Sequence, residues 1–208
     1  MRTIGRITTI MAALGLAACQ ATTTYKPEYV QPTVVPAGEK IDGKGLLFFE
    51  ESYANYIYNE GASTFTGSGA KLSVPLGLMT REIGKAVYGA AFSEGVDVTT
   101  VSSAGGAYRV TIQPKVTDFK YYWHQAENLG FAITPGTEMS LTVKLLDPAG
   151  AEIATRTYSS GEKKGGSYMI SGSPEEKISK LAHEIIAELM QKSLVDIRAW
   201  AAAHPRTQ

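Results

Sequence analysis

Few side chains in this 208-residue chain stand in a context that lets them do chemistry, and the clearest is Cys19, its only cysteine, in the stretch Leu16-Ala17-Ala18-Cys19. A free thiol often packs as a small hydrophobe. Here it follows a basic head with Arg2 and Arg6, an apolar run from Ile7 to Leu16, and two alanines. That order is the layout of a secretory signal with a small-residue cut site, where a peptidase can hold the extended backbone closely. The apolar run with its two alanines, about 12 residues, falls short of the roughly 20 that span a bilayer as a helix, so it reads as a removable leader. Other reactive groups lack such a context. His124 follows Trp123 with Glu127 nearby, His183 adjoins Glu184, and His204 lies in the tail; none has the spacing of a helical metal pair. A helical histidine beside a glutamate reads as a surface residue. Ser102-Ser103 and Ser159-Ser160 sit in turn contexts without a nucleophile elbow, and neither a P-loop nor a dinucleotide fingerprint occurs. Glu50-Glu51 and Glu175-Glu176 read as a strand edge and as partners of a helix dipole. These residues point away from an enzyme and call for no metal and no cofactor.

Leu-Ala-Ala-Cys resembles the lipobox of bacterial lipoproteins. The resemblance implies that the Cys19 thiol takes a diacylglycerol, that the chain is cut before it, and that the new amino group is acylated, with palmitate as the expected chain. Each buried CH2 contributes about 0.8 kcal/mol, so two or three chains hold far more firmly than one. Gln20, not Asp, follows the cysteine. By the same resemblance this places the protein at the outer membrane, facing the periplasm.

Composition narrows the rest. Removal of residues 1–18 leaves 190 of 208, enough for one ordinary domain. The formal net charge is +0, and loss of Arg2 and Arg6 turns it slightly negative. No basic patch suggests nucleic acid; the dense pair Lys163-Lys164 lies in a glycine loop. With Cys19 lipidated no thiol remains for a disulfide, a thiolate metal site or a cysteine nucleophile. The fold must be held by packing alone.

The elements that carry these residues read as follows. Residues 19–42, rich in Thr, Pro and Tyr, have no period and predict an extended lipidated tether of roughly 50–60 Å reach; docking of Tyr25 or Tyr29 on a partner is the alternative. A single domain over 43–204 follows. Gly45–Glu51 reads as a buried strand and Ser63–Thr66 as a brief one. Leu76, Met79, Ile83, Val87 and Ala90 recur at helical steps and predict a helix over 76–93 that starts at Pro75. Gly84 and Gly89 inside it suggest a close approach to a sheet. Val96–Val101 and Ala107–Trp123 read as strands, with a bulge or bend expected at Pro114. Met139, Leu141, Val143 and Leu145 alternate with polar residues in the clearest half-buried strand, and Asp147–Gly150 has turn chemistry. Either Ile153, Thr155 and Thr157 or Ala154, Arg156 and Tyr158 face inward on its hairpin partner. Residues 161–173 read as a flexible loop or small flap. Ser173, Pro174 and Glu176 mark the start of a last helix running to about Ala203, whose end, with Trp200, is expected to protrude. The order β-α-β-β-α gives an α+β two-layer sandwich: a mostly antiparallel sheet with two helices on one face.

The surface candidate is aromatic. Phe119, Tyr121, Tyr122 and Trp123 crowd one strand end, with Phe131 beyond. Both faces of an alternating strand are core only if both are covered. Phe119, Tyr121 and Trp123 therefore share one face, and Tyr122 with Lys120 lies on the open one. The four rings, together with Trp200, are the candidate partner contact; plain edge packing is the alternative. The layout as a whole resembles a group of small Gram-negative outer-membrane lipoproteins, comprising the YajG-type, the ABC-type transport auxiliary and the lipopolysaccharide-assembly lipoproteins. The matching pieces are Leu16–Cys19, the helix from Leu76, Leu141–Gly150 and the helix from Pro174. The resemblance implies a non-catalytic accessory or assembly subunit of an envelope complex. A direct binder of lipid or lipopolysaccharide, with Gly84 and Gly89 lining an apolar cavity, is the alternative. A periplasmic hydrolase built on His124 or His183 ranks third.

Overall fold

The computed structural model describes residues 20–64, 71–101, 108–125, 132–169 and 174–205. The lipobox, Phe65-Thr66, Phe131 and the Ser173 cap lie outside them. Ten strands are present among these residues: β1 (Gln20–Thr22), β2 (Gly45–Phe48), β3 (Tyr58–Gly61), β4 (Lys71–Val74), β5 (Val96–Thr99), β6 (Val110–His124), β7 (Ala132–Leu146), β8 (Glu152–Ser159), β9 (Lys163–Lys164) and β10 (Tyr168–Met169). The helices are α1 (Glu51–Ala54), α2 (Leu76–Ala91) and α3 (Pro174–Ala203). The α+β class holds, with α2 and α3 packed on one side of the main sheet.

The main sheet is more mixed than the expected antiparallel one. β2 runs parallel to both β5 and β6, whereas β6, β7 and β8 are antiparallel neighbours. The free edge of β7 is covered in three stages, by β8 at Ser140–Leu146, β9 at Gly136–Thr137 and β10 at Ala132–Ile133. A second, three-stranded sheet of order β1-β4-β3 has no counterpart among the elements expected from sequence.

The bulge in β6 lies at Thr117, not at Pro114. Register with β7 is unbroken through Pro114 and slips between Val116 and Asp118. β2 pairs with β6 only as far as Ile112. Beyond that point the amide of Val116, two residues after Pro114 and on the same strand edge, donates to the Tyr53 hydroxyl at 2.7 Å. Proline therefore sits where there is no ladder to interrupt. The extra residue switches parity. Val110, Ile112 and Val116 are buried before it, Phe119 and Tyr121 after it. A one-residue slip moves every following side chain to the opposite face, and this one carries the aromatic series into the core.

In α2, Leu76, Met79, Ile83 and Val87 are buried, as the period requires; at the end of the helix, which stops at Ala91 and not at 93, Ala91 takes the buried place expected for Ala90, which is half-buried. The close approach occurs at Gly77, not at Gly84 or Gly89. A Cβ at Gly77 would lie 2.1 Å from the Tyr53 carbonyl oxygen of α1. At Gly84 it would make ordinary contacts, 3.5 Å to Leu47 and 3.6 Å to Met190, and at Gly89 3.7 Å to Val96. The space beside Gly84 is filled with side chains, which removes the apolar cavity expected there.

On β8, Ala154, Arg156 and Tyr158 stand opposite the buried Leu145, Val143 and Leu141 and so face α3. The end of α3 does not protrude. Arg109 lies over the Trp200 ring at 5.1 Å and donates to the carbonyls of Ala201 and His204. A cation on the last carbonyls is favourable because they carry the negative end of the helix dipole.

Candidate interaction surface and N-terminal strap

Residues 20–42 form a strap laid along α3, in place of the free tether expected from their composition. β1 is parallel to β4 from Gln20 opposite Lys71 to Thr22 opposite Ser73, and the Thr23 amide continues to the Ser73 carbonyl. Ser179 Oγ then donates to the Thr24 carbonyl at 3.2 Å and Gln191 Nε2 to Thr33 Oγ1 at 3.2 Å. Ile41 is buried, and its backbone bonds to Ala91 and Ser93 at the end of α2. The strap thus follows α3 from its first turns to its last.

His183 fastens it. Expected at the surface, the imidazole is 0% exposed. Nδ1 donates to the Ser179 carbonyl at 2.7 Å, which leaves Nε2 to accept the Lys26 amide at 3.0 Å. Tyr25 stacks on the ring with centroids 5.4 Å apart, and Tyr29 meets it edge-on at 5.5 Å. The Tyr29 hydroxyl donates to Glu176 Oε1 at 2.6 Å and the Lys26 ammonium to the same oxygen at 3.0 Å. These two donors, the hydroxyl first, hold the Glu176 carboxyl below its usual range. Burial holds His183 below the ordinary imidazole range. With both nitrogens engaged and the ring covered, His183 is placed to hold the strap and not to act as a base. Ala182, Ile186, Leu194 and Ile197 widen the apolar arc of α3, but α2 already packs on that helix, with Tyr88 bonded to Ser193 and Gly84 beside Met190, so the arc is no separate sign of the strap. The docking role weighed for Tyr25 and Tyr29 is met inside the chain.

The open face of the main sheet is polar and internally bonded. Tyr122 is half-buried there and donates to Glu138 Oε2 at 2.8 Å. Its ring stacks on His124, with centroids 5.8 Å apart, and His124 Nε2 pairs with Glu162. Gly136, opposite Tyr122, makes room for that pair: a Cβ there would come within 2.5 Å of Glu162 Oε1. Burial and the bonded Glu138 carboxylate push the Tyr122 phenol up to about 12. Lys120 pairs with Asp118, and hydroxyls of Thr117, Thr142 and Thr157 link β6, β7 and β8 across the face. A hollow of about 170 Å³ lies where β2 ends, bordered by Phe48, Glu50, Gln113, Lys115, Thr142 and Lys144. Small-molecule sites usually occupy about 300–1,000 Å³.

The aromatic candidates separate accordingly. Phe119 and Tyr121 are 6% and 1% exposed and belong to the core, so neither is presented to a partner. Trp123 is half-buried, edge-on to Tyr121, and its amide donates to Thr64 Oγ1. Tyr122 alone of the four lies on the open face. Trp200, in contact with Arg109 and stacked on His204, lies at the other end of the molecule. Among the described residues no group of three His, Cys, Asp or Glu could hold a metal ion, and no helix is long and apolar enough to cross a membrane.

No protein-family model matches the chain, and no curated protein matches it in sequence. Among solved structures, a PelC dodecamer from Paraburkholderia phytofirmans, solved as a point variant, aligns with 78% of this chain and 92% of its own, at 14% identity and a TM-score of 0.40. A minor lipoprotein from Acinetobacter baumannii aligns with 75% and 92%, at 13% identity and a TM-score of 0.38. Likeness this distant transfers neither a ligand nor a partner.

Proposed function

We propose that this chain is an outer-membrane lipoprotein, acylated at Cys19 and facing the periplasm, that serves as a non-catalytic accessory or assembly subunit of an envelope complex. One observation carries the reading: the basic head, apolar run, small pair and cysteine stand in the order of a lipoprotein signal, directly ahead of the first strand. The polar sheet face supports a binding role. Its groups are fixed by one another, and Tyr122 offers an amphipathic ring of the type that anchors protein interfaces.

The test is made on full-length protein in its native envelope. Wild type should incorporate labelled palmitate and fractionate with the outer membrane, while Cys19→Ser should do neither. Crosslinked pull-down should recover a defined set of envelope proteins, and Tyr122→Ala should lose it with the thermal midpoint within a few degrees of wild type. Wild type without label would sink the acylation reading. Unchanged capture by Tyr122→Ala would exclude the open face as the contact. Lipid co-purifying with no protein partner would favour the amphiphile reading.

A further inference from the structure

We infer that this protein stands directly on its membrane, on the end of the molecule where β1 begins, with no linker between anchor and body. The inference rests on acylation of Cys19. The backbone of Gln20 is already paired with Lys71. One peptide step, about 3.8 Å between Cα atoms, is all that separates an acylated Cys19 from the small sheet. The acyl chains must enter the hydrocarbon layer. The headgroup plane therefore lies against this end of the molecule.

The residues at that end follow from the pairing. Gly61 is level with Lys71 across β3 and β4. From Gly61 the chain runs on to Ser63, whose amide donates to the Tyr121 carbonyl at 2.8 Å, and to Thr64, whose hydroxyl accepts the Trp123 amide at 2.9 Å. The Tyr121 hydroxyl donates to the Glu60 carbonyl, which fixes β3 alongside the last part of β6. The start of β1 and the Trp123–His124 end of β6 therefore share one pole. Exposed Lys71 supplies a cation for lipid phosphate, and Trp123 is an amphipathic ring of the kind enriched at membrane–water interfaces.

The other pole carries the second of the chain's two tryptophans. Arg109, adjoining the first residue of β6, covers Trp200, whereas Trp123 is the penultimate residue of that strand. The fourteen residue-to-residue steps from Arg109 to Trp123 span about 45 Å at roughly 3.3 Å each. Trp123 is the membrane-proximal ring and Trp200 the distal one.

Acylated full-length protein is reconstituted into phosphatidylethanolamine–phosphatidylglycerol vesicles containing a brominated phosphatidylcholine, and flotation is checked first. Trp200→Phe leaves Trp123 as the only indole, and Trp123→Phe leaves Trp200. Quenching by the brominated lipid should be at least about threefold greater for Trp123. A twenty-residue Gly/Ser insert between Cys19 and Gln20, which leaves the body untouched, should abolish the difference without affecting flotation. Equal or absent quenching in floated protein without the insert, or stronger quenching of Trp200, would overturn the inference. Protein that does not float at all overturns the acylation reading, and the standing geometry with it.

Discussion

His183 shows how one side chain makes a segment without regular structure part of the body. The Nδ1 donor and Nε2 acceptor fix the neutral tautomer, and protonation would set an N–H against the Lys26 amide. Tyr25, Lys26, Glu28 and Tyr29 face it from the strap, and Glu176 lies on its own helix. Burial disfavours the charged form, Glu28 opposes that and Lys26 reinforces it; the net effect is a lowered pKa. The unfolded chain, titrating near 6.5, therefore binds more protons than the native one just below that pH. The stability contributed by neutral His183 is complete above about 6.5 and falls as the pH drops toward the native value. Urea midpoints from pH 7.5 to 5.0 should fall for wild type and vary less for His183→Gln, whose amide keeps an acceptor for Lys26. Parallel curves would show that His183 does not titrate against folding. In sequence the residue reads as a surface group because its local context, a helix with Glu184 beside it, contains nothing of a cover 157 positions away.

At the scale of elements, legibility follows the range of the interactions. α2, α3 and β7 announce themselves through apolar periods of 3.6 and 2, and the Asp147–Gly150 turn through its residues: the Asp147 carboxylate accepts the amides of Ala149 and Ala151, and Gly150 has φ 85°. β1, β3 and β4 are short, have no period, and gain their order from one another, with β1 and β4 partners 51 positions apart. The position of the β6 bulge is equally hidden. The shared face of Phe119, Tyr121 and Trp123 demands a parity change, but only the end of β2 decides that Pro114 is harmless and Thr117 the extra residue. Glycine in α2 gives a sharp test. Gly77→Ala drives a methyl into the Tyr53 and Ala54 carbonyls and should cost about 1–3 kcal/mol. Gly84→Ala meets open van der Waals distances and should be neutral or stabilising by up to about 1 kcal/mol. Chemical denaturation of the two variants reads the difference directly. A reversed ranking would mean that α1 can yield.

For the whole molecule, the strap decides where the folded unit begins. Composition places that boundary near residue 43, because Thr- and Pro-rich text without a period resembles a linker. In the structure Ile41 is buried at 5% exposure, and Tyr25, Val30 and Val35 are packed against the core. Burial of Ile41 alone is worth about 1.5–3 kcal/mol, and the strap adds hydrogen bonds from Ser179, Lys26 and Gln191. A chain beginning at residue 43 should therefore be less stable than one beginning at residue 20 by at least about 2 kcal/mol. Its urea m-value should also be smaller, since less surface is released on unfolding. The core surface left bare where Tyr25, Val30 and Val35 had packed should bind a hydrophobic dye that the longer chain does not. Equal midpoints and equal slopes would mean that the strap lies on the body without belonging to it. If the shorter chain is weaker, tension applied at the membrane anchor passes through β1 into the small sheet and along α3, and any partner grasping the distal pole at Trp200 is held through the folded core instead of a slack tether.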